Sequence, residues 1–478
     1  MDIREGLTFD DVLLVPKFSD VSSRSQTDLS TQLSRNISIN IPLISANMDT
    51  VTESSMAVTI AREGGIGIIH RFLTIQEEVK EVLKVKRSGS VMIENPYTIN
   101  TEQTIQNAFI TMNEKQVSGL LVVDSNSKLV GILTERDVLF EPPNCSKLVK
   151  DLMTKDVVTA KQGIDLEKSK EILKKNRIEK LPIIDDNNLV KGLITSQDIS
   201  NLEKYPNASK DNKGRPIVGA AVGVKGDFME RTEALIDAGT DAIVVDIAHG
   251  HSENAINTVK NIKKAFPDCE LIAGNVATAN GTEDLIKAGV DAVKVGVGSG
   301  SICITRVITG SGVPQLTAVL DCAKVGKEHG IPIISDGGTR NSGDATKALA
   351  AGASSIMVGS ILGGTDETPG TTITKNNKRF KIYRGMASLG ASMGRKTKET
   401  GTFELTDDIN DYVAEGVEAM VPYKGSITDI ITQITGGIRS GLSYCGAHNI
   451  EQMHKNAEFI KISRAGFAES QPHDVDVT

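Results

Sequence analysis

Residues 292–298 read Ala-Val-Lys-Val-Gly-Val-Gly, an apolar run that ends in glycine. Runs this continuously apolar are typical of strands that are buried on both faces of a parallel sheet. Similar runs occur at 42–48, 65–70, 218–223, 242–246, 271–275, 332–338 and 355–360. Because helical patterns such as 230–238 and 282–288 separate most of the runs, the chain is predicted to be an α/β protein with a (β/α)₈ TIM barrel. An open, doubly wound sheet is the alternative, but no Gly-x-Gly-x-x-Gly motif follows the first run.

A segment of different composition separates the second and third runs, so the barrel is predicted in two parts, residues 1–88 and 206–478. The intervening residues 89–205 contain an internal repeat, in which 91–146 and 150–204 each hold a helix and two β runs. This repeat resembles a tandem pair of CBS domains inserted into the barrel. The resemblance implies that an adenine or guanine nucleotide binds at Thr134, Asp137, Thr195 and Asp198. A structural insertion without a ligand is the alternative.

Composition is that of a soluble globular protein of two or three domains: 478 residues, 39% of them hydrophobic and 24% charged, with a net charge of −8. No basic patch indicates nucleic acid as a primary ligand. The five cysteines lack zinc-ligand or CxxC spacing, so neither a zinc site nor a disulfide framework is expected. The sequence has no recognisable signal peptide and no apolar run of membrane-spanning length, which predicts a cytoplasmic protein without a membrane partner.

Cys303 lies in the loop Gly-Val-Gly-Ser-Gly-Ser-Ile-Cys-Ile-Thr-Arg at 296–306, directly after an apolar run. A cysteine is more often a small buried hydrophobe than a reactive group. A thiol on a polar, glycine-rich loop at a strand end, however, is placed to react as a thiolate nucleophile. The sequence therefore predicts that Cys303 is the catalytic nucleophile, and that the other four cysteines are structural.

Two further loops have the composition of a phosphate site. Ser-Asp-Gly-Gly at 335–338 ends the seventh run and Gly-Ser at 359–360 ends the eighth, and these are the barrel loops that frequently bind phosphate. Asp336 could accept hydrogen bonds from a ribose. Asp246 ends the fourth run, close to His249 and His251, and a ligand contact is a better interpretation of it than a metal site.

Several motifs together resemble the IMP dehydrogenase family over nearly the whole chain. They are the segments 7–16, 46–53, 64–70, the CBS pair, the Cys303 loop, 335–338, 383–386 and 465–475. The resemblance implies that Cys303 attacks C2 of inosine 5′-monophosphate (IMP), that hydride passes to NAD, and that the thioimidate is hydrolysed to xanthosine monophosphate. It implies an IMP site formed by Ser301, Asp336, Gly337, Gly338, Gly359, Ser360, Tyr383, Arg384, Gly385, Met386, Ala387 and Glu415.

The same resemblance implies a cofactor and an ion. Asp246, Gly296, Val297 and Gly298 would face NAD. The carbonyl groups of Gly298, Gly300 and Cys303 would bind potassium, completed by Glu469, Ser470 and Gln471 of a neighbouring subunit. That arrangement implies a homotetramer.

One departure from the family pattern concerns the hydrolytic step. An adjacent Arg-Tyr pair is expected in a mobile flap, but the matching positions here are Gly401-Thr402. Arg395 could replace the missing base, or Thr305 and Glu415 could relay the proton from water. The absent pair leaves two alternatives open: a GMP reductase that carries CBS domains, and a nucleotide sensor with weakened catalysis. The polar segments 375–379 and 394–402 are expected to be exposed loops or a lid.

Overall fold

The computed structural model describes residues 3–89, 92–115, 117–400 and 413–472, and for 395–400 the backbone only. Eight parallel strands close into a barrel, which confirms the predicted fold. In chain order these barrel strands are β1 Leu43–Ser45, β2 Ile66–Ile69, β3 Val218–Val222, β4 Ala242–Asp246, β5 Glu270–Val276, β6 Ala292–Val295, β7 Ile333–Asp336 and β8 Ser355–Val358. Each strand pairs with the next, and β8 pairs with β1 to close the ring.

Helices follow the strands and cover the outside of the barrel. They are Ser54–Arg62, Ile75–Arg87, Phe228–Asp237, Glu253–Ala265, Ala279–Ala288, Gln315–His329, Ser342–Ala350 and Ile427–Tyr444. The last of these packs against both Ser342–Ala350 and Ser54–Arg62, and so completes the helical layer beside β8 and β1. Shorter helices are Thr305–Thr309, Ile450–Asn456 and Arg464–Glu469, with 3₁₀ turns at Phe9–Asp11 and Arg24–Gln26.

Buried apolar side chains pack in two places, inside the barrel and between its strands and the outer helices. Inside the ring, residues such as Ile68, Val244 and Ile272 form one cluster, joined by Leu33 and Ile39 from the short hairpin Thr31–Gln32/Ser38–Ile39. The hairpin side chains contact the first residues of several strands, so the hairpin closes the amino-terminal end of the barrel. The carboxyl end is thereby the open end, where barrel active sites lie.

An antiparallel sheet follows β8. Its strands are Ile373–Lys375, Lys378–Arg384 and Glu418–Pro422, and the helix Leu389–Thr400 lies between the second and third. Residues 375–379, predicted as an exposed loop or a lid, are exposed and form the end of a hairpin that turns at Asn376 and Asn377. Residues 394–400 are helical, so the prediction of a loop is wrong there. Residues 401 and 402 lie outside the described part of the chain. The strands Val12–Leu14 and Phe459–Lys461 pair separately.

A second compact unit comprises residues 87–206 and 212–215. It holds two copies of one arrangement, a strand, a helix and a two-stranded hairpin. The first copy is Thr98–Asn100, Ile105–Lys115, Gly119–Val123 and Leu129–Thr134, followed by the helix Val149–Leu152. The second is Ala160–Lys161, Leu166–Asn176, Lys180–Ile184 and Val190–Thr195, followed by Ser196–Lys204. Within the described ranges, no helix is both long and apolar enough to span a bilayer.

Candidate functional site

A cavity of about 530 Å³ opens at the carboxyl ends of the barrel strands. It is lined by Cys303, Thr305 and Glu415, and by every residue that the sequence assigned to NAD. The residues assigned to IMP line it as well, with the exception of Arg384. Loops distant in sequence thus converge on one site, because the carboxyl ends of parallel strands share one face of the barrel.

Cys303, Thr305 and Glu415 form a hydrogen-bonded chain. The Cys303 Sγ lies 3.1 Å from the Thr305 Oγ1, and that hydroxyl donates to the Glu415 Oε2 at 2.8 Å. Since a threonine hydroxyl carries a single proton, which here points to Glu415, the thiol is the donor to the Thr305 oxygen. The arrangement connects a nucleophile to a carboxylate through one hydroxyl, and it can carry a proton in either direction.

The backbone fixes this chain in place. The Ile304 amide donates to the Glu415 carbonyl at 2.8 Å, and the Val417 amide donates to the Ile302 carbonyl at 3.0 Å. These bonds pair the Cys303 loop with the segment that carries Glu415, although more than a hundred residues separate the two in sequence. The geometry of the relay is therefore set by main-chain pairing, and does not depend on long flexible side chains.

Lys294 occupies the centre of the cavity floor and is almost fully buried. Its Nζ donates to the Asp336 Oδ2 at 2.8 Å, to the Asp246 Oδ1 at 3.1 Å and to the Asn275 Oδ1. The Asn275 amide in turn donates to Asp336 at 2.9 Å and to the Gly296 carbonyl at 2.7 Å. One ammonium group thus links the residue predicted to face NAD with the residue predicted to face the ribose.

The charges in this cluster support one another. Burial alone would lower the pKa of Lys294, but attraction to Asp336 and Asp246 raises it above its usual value. Burial alone would raise the pKa of Asp246, but attraction to Lys294 and Arg71 holds that pKa below its usual value. Lys294 and Asp246 are consequently both ionised near neutral pH.

Sequence reasoning missed Lys294 and Asn275. Lys294 was treated as part of an apolar run, although a lysine in a strand buried on both faces must find a carboxylate partner. This rule indicates that Lys294 belongs to a buried ion pair. It does not show which of the polar strand ends supply the partners.

Tyr383 closes the side of the cavity near the two glycine loops. Its hydroxyl donates to the Met48 Sδ at 3.8 Å and faces Ser301 and Ser360, and burial raises the pKa of its phenol to about 12. A Cβ on Gly359 would lie 2.9 Å from the Tyr383 hydroxyl, so only glycine allows this approach. Gly337 and Gly338 adopt positive φ angles of 95° and 78°. The hydroxyls and tightly turned loops match the composition expected of a phosphate site.

Arg384 lies behind the cavity wall. Its Nε donates to the Asp49 Oδ2 at 2.9 Å, and its amide donates to the Thr50 Oγ1 at 3.2 Å. The Asp49 amide also donates to the Met386 Sδ at 3.4 Å. Arg384 therefore ties the segment 383–387 to the loop after β1, and contributes to the site through this support.

Three sets of predicted residues fall elsewhere. Glu469 and Ser470 lie at the end of the helix Arg464–Glu469, which packs against the 3₁₀ turn Phe9–Asp11, and neither they nor Gln471 line the cavity of their own chain. Arg395 belongs to the helix Leu389–Thr400, but its side chain lies outside the described residues. His251 bonds to Asp284 at 2.9 Å, and no cluster of metal-ligating side chains occurs among the described residues. All five cysteines are free of disulfides.

Comparison with known proteins gives a consistent result. Residues 6–473 match the IMP dehydrogenase / GMP reductase domain family. The chain is 77% identical over 475 residues to the inosine-5′-monophosphate dehydrogenase of Nitrosopumilus maritimus, covering 99% of both chains. It is 52% identical over 478 residues to the enzyme of the same name from Aquifex aeolicus, covering 100% of this chain and 97% of that one.

Among solved structures, a GMP reductase variant from Trypanosoma brucei in complex with guanosine 5′-monophosphate superposes with a TM-score of 0.92. Its sequence is 44% identical to this chain, with 99% of each chain covered. The similarity to this solved structure therefore covers the second unit as well as the barrel.

Replacing Lys294 with methionine tests the buried charge cluster. The variant leaves two carboxylates without their cation, and we expect the free energy of unfolding at neutral pH to fall by about 3–5 kcal/mol. In the parent, the lowered pKa of Asp246 gives stability that is present above the unfolded pKa and is lost as pH falls through the folded one.

Between about pH 5 and about pH 8 the contribution of Asp246 is constant in the parent, because its pKa lies below this range in both the folded and the unfolded state. Without Lys294 the folded pKa of the carboxylates rises, so the variant should lose stability as pH increases, and denaturation at about pH 5 and about pH 8 measures this. Lys263→Met, which breaks a Lys–Asp pair with Asp291 at the amino-terminal end of the barrel, is the control and should show no such loss, since Asp291 keeps Arg35 at 3.6 Å. Identical pH trends in Lys294→Met and the parent would contradict the assignment.

Proposed function

The chain belongs to the IMP dehydrogenase / GMP reductase family, and from its barrel-mouth cavity we propose that it oxidises IMP to xanthosine 5′-monophosphate through a covalent intermediate on Cys303. Its relatives at 46–77% identity are named inosine-5′-monophosphate dehydrogenase, and this activity makes the chain an oxidoreductase of guanine nucleotide biosynthesis with NAD as the hydride acceptor. The observation that carries the mechanism is the hydrogen-bonded chain from Cys303 through Thr305 to Glu415 inside that cavity.

In the first step the Cys303 sulfur adds to C2 of the hypoxanthine ring. The thiol proton can leave through the Thr305 hydroxyl to the Glu415 carboxylate, which the relay places one hydrogen bond further on. Loss of hydride from C2 restores the ring double bond and leaves a thioimidate. Covalent capture divides a difficult substitution into two easier steps.

In the second step water adds to C2 and the Cys303 sulfur leaves as the nucleotide product forms. The same relay can take the water proton, since Thr305 accepts from water while donating to Glu415. Arg395 remains the alternative base suggested by the sequence. The hydroxyls of Ser301, Ser360 and Tyr383 would hold the phosphate, and Asp336 would accept from the ribose.

NAD would lie against Asp246 and the loop Gly296–Gly298, where it supplies the hydride acceptor. A Cβ on Gly296 would come within 1.9 Å of the Asp336 carbonyl, so this residue must be glycine for the loop to pack beside the end of β7, and the loop lines the cavity next to Asp246. Asp246 is ionised, accepts from Lys294 through its Oδ1 and lines the cavity, where it can contact a ligand hydroxyl or amide.

A potassium ion is proposed at the carbonyl groups of Gly298, Gly300 and Cys303. These residues belong to one loop, in which the Cys303 amide donates to the Gly300 carbonyl at 3.1 Å, and main-chain oxygens are ligands that a hard cation takes. Glu469, Ser470 and Gln471 of a neighbouring subunit would complete it, in agreement with their distance from the cavity of their own chain. A homotetramer and a cytoplasmic location accompany this proposal.

The reaction is tested by offering the purified protein IMP with NAD⁺ and, separately, GMP with NADPH. We expect NADH to form from the first pair and no NADPH to be consumed with the second. Cys303→Ala should reduce turnover by at least about 10³-fold, because it removes the nucleophile. Turnover of GMP with NADPH alone would identify the chain as a reductase, and full activity of Cys303→Ala would refute the shared mechanism.

The base of the hydrolytic step is tested by comparing Glu415→Gln with Arg395→Ala in rapid-mixing experiments. If the Thr305–Glu415 relay activates water, Glu415→Gln should slow steady-state turnover about 10²-fold or more, while Arg395→Ala changes it little. Because the same relay takes the thiol proton in the first step, Glu415→Gln should slow the NADH burst as well as hydrolysis, whereas Arg395→Ala should leave the burst unchanged. Slow hydrolysis in Arg395→Ala alone would assign the role to Arg395 instead.

The second unit is proposed to bind an adenine or guanine nucleotide. In both copies a threonine and an aspartate three residues later are hydrogen-bonded, Thr134 to Asp137 at 2.7 Å and Thr195 to Asp198. In the second copy these bonds cap the helix Ser196–Lys204, but in the first they close a turn that no helix follows. Helix capping therefore does not account for the pair in the first copy.

Calorimetric titration of the full chain with ATP and with GTP tests this proposal. At least one should bind, and Asp137→Asn should weaken binding about tenfold by removing a charged acceptor for ribose hydroxyls, while leaving IMP oxidation unchanged. Absence of binding by both nucleotides at millimolar concentration would leave the unit as a structural insertion.

A further inference from the structure

A second cavity, of about 680 Å³, adjoins the first and shares Arg71, Phe72, Asp246 and Ile247 with it. Its walls are the loop after β2, residues 71–75, and the loop after β3, residues 223–227. The Arg71 side chain reaches across to the second loop, where a Cβ on Gly223 would lie 3.4 Å from its guanidinium. The position of these two loops therefore determines the shape of the wall beside Asp246.

Arg231 forms hydrogen bonds to both loops. It is buried on the helix Phe228–Asp237, and its Nη1 donates to the Leu73 carbonyl in the first loop at 3.0 Å. Its Nη2 donates to Asp227, at the end of the second loop, at 2.7 Å. Nη1 also bonds to Glu78, on the helix that follows the first loop. A planar guanidinium can serve these three groups at once, which a single ammonium cannot do with the same geometry.

Glu78 is an unusual residue to bury for stability alone. Its side chain is fully inaccessible, and its Oε1 has no hydrogen-bond partner among the described residues. Burial raises the pKa of this carboxyl to about 8, despite attraction to Arg231. Pairs of this kind are seldom a net source of stability, and a positional role is the alternative explanation.

We propose that Arg231, held by Glu78, is a positioning residue for the dinucleotide. Arg231 fixes the loops that present Arg71 and Phe72 beside Asp246, and so sets the wall against which NAD binds. The proposal rests on the proposed function only in taking NAD as the ligand of that wall. IMP is expected to be affected less, because its predicted contacts come from the loops after β6, β7 and β8.

The chain contains a matched control for this pair. Lys86 lies on the same helix as Glu78, is equally buried, and bonds to two carboxylates, Asp241 at 2.6 Å and Asp211 at 3.0 Å. Asp241 immediately precedes β4, at the amino-terminal end of the barrel. Lys86→Met and Arg231→Met therefore each remove a buried cation from between two acidic groups. Of the two residues, Arg231 lines the second cavity and Lys86 does not.

The experiment measures the equilibrium Kd for NADH, which needs no turnover, with KM for NAD and for IMP in the full-length protein. Arg231→Met is expected to weaken NADH binding about tenfold and to change KM for IMP by less than about twofold. Lys86→Met and Arg231→Met should lower the melting temperature by similar amounts. Lys86→Met, however, should leave the Kd for NADH within about twofold of the parent value.

Milder variants cover a failure of Arg231→Met to fold. Glu78→Gln keeps shape and should weaken NADH binding about threefold with little change in melting temperature, and Arg231→Lys should not restore the parent value. Equal weakening of NADH binding in the Lys86 and Arg231 variants, or none in the Arg231 and Glu78 variants, would overturn the proposal. A parent that binds NADH without oxidising IMP would refute the proposed function alone, and one that binds no dinucleotide would refute both.

Discussion

A buried ammonium group must be balanced where it lies, and the architecture of this site follows from how Lys294 is balanced. Lys294 is on β6, and its partners Asp246, Asn275 and Asp336 are on β4, β5 and β7. The pairing of these neighbouring strands brings four side chains from four strands to one point. A shift of register in any of them would leave a charge without its partner in a dry environment, at a cost of several kcal/mol. The charge cluster and the closure of the barrel therefore depend on each other.

The groups that are proposed to react lie on loops around this charge cluster. The thiol lies on the loop after β6, and its carboxylate partner Glu415 lies beyond the antiparallel sheet that follows β8. Main-chain bonds between 302–304 and 415–417 bring the two together. The barrel strands thus provide the rigid scaffold, and the loops that follow them carry the proposed reactive groups, as is common in barrel enzymes. Lys294 contacts both predicted binding residues, Asp246 and Asp336, so it links the two halves of the cavity electrostatically.

The sequence predicted the parts of this arrangement that depend on local pattern. The eight strands, their polar ends and the position of Cys303 in a loop at a strand end follow from apolar runs and glycine content. Contacts between distant residues could not be read in this way. Lys294 and Asp246 are on different strands, and the tie between Arg384 and Asp49 joins residues more than three hundred positions apart. The hairpin at 373–384 did have a local signal in the sequence, the pair Asn376-Asn377, because asparagine tolerates the positive φ that type I′ turns require. The charged residues around this pair are equally typical of an exposed loop.

The central claim is that Cys303 forms a covalent bond to the nucleotide, assisted by the relay through Thr305 to Glu415. The most direct test is mass spectrometry of the intact protein, quenched with acid shortly after mixing with IMP and NAD⁺. Peptide mapping then locates any adduct. The account predicts that the chain gains the mass of IMP less two hydrogens, the thiol proton and the hydride from C2, and that this increase is confined to the peptide that carries Cys303 and absent from Cys303→Ala. NADH formation without an adduct on that peptide, or an adduct on a different cysteine, would contradict it.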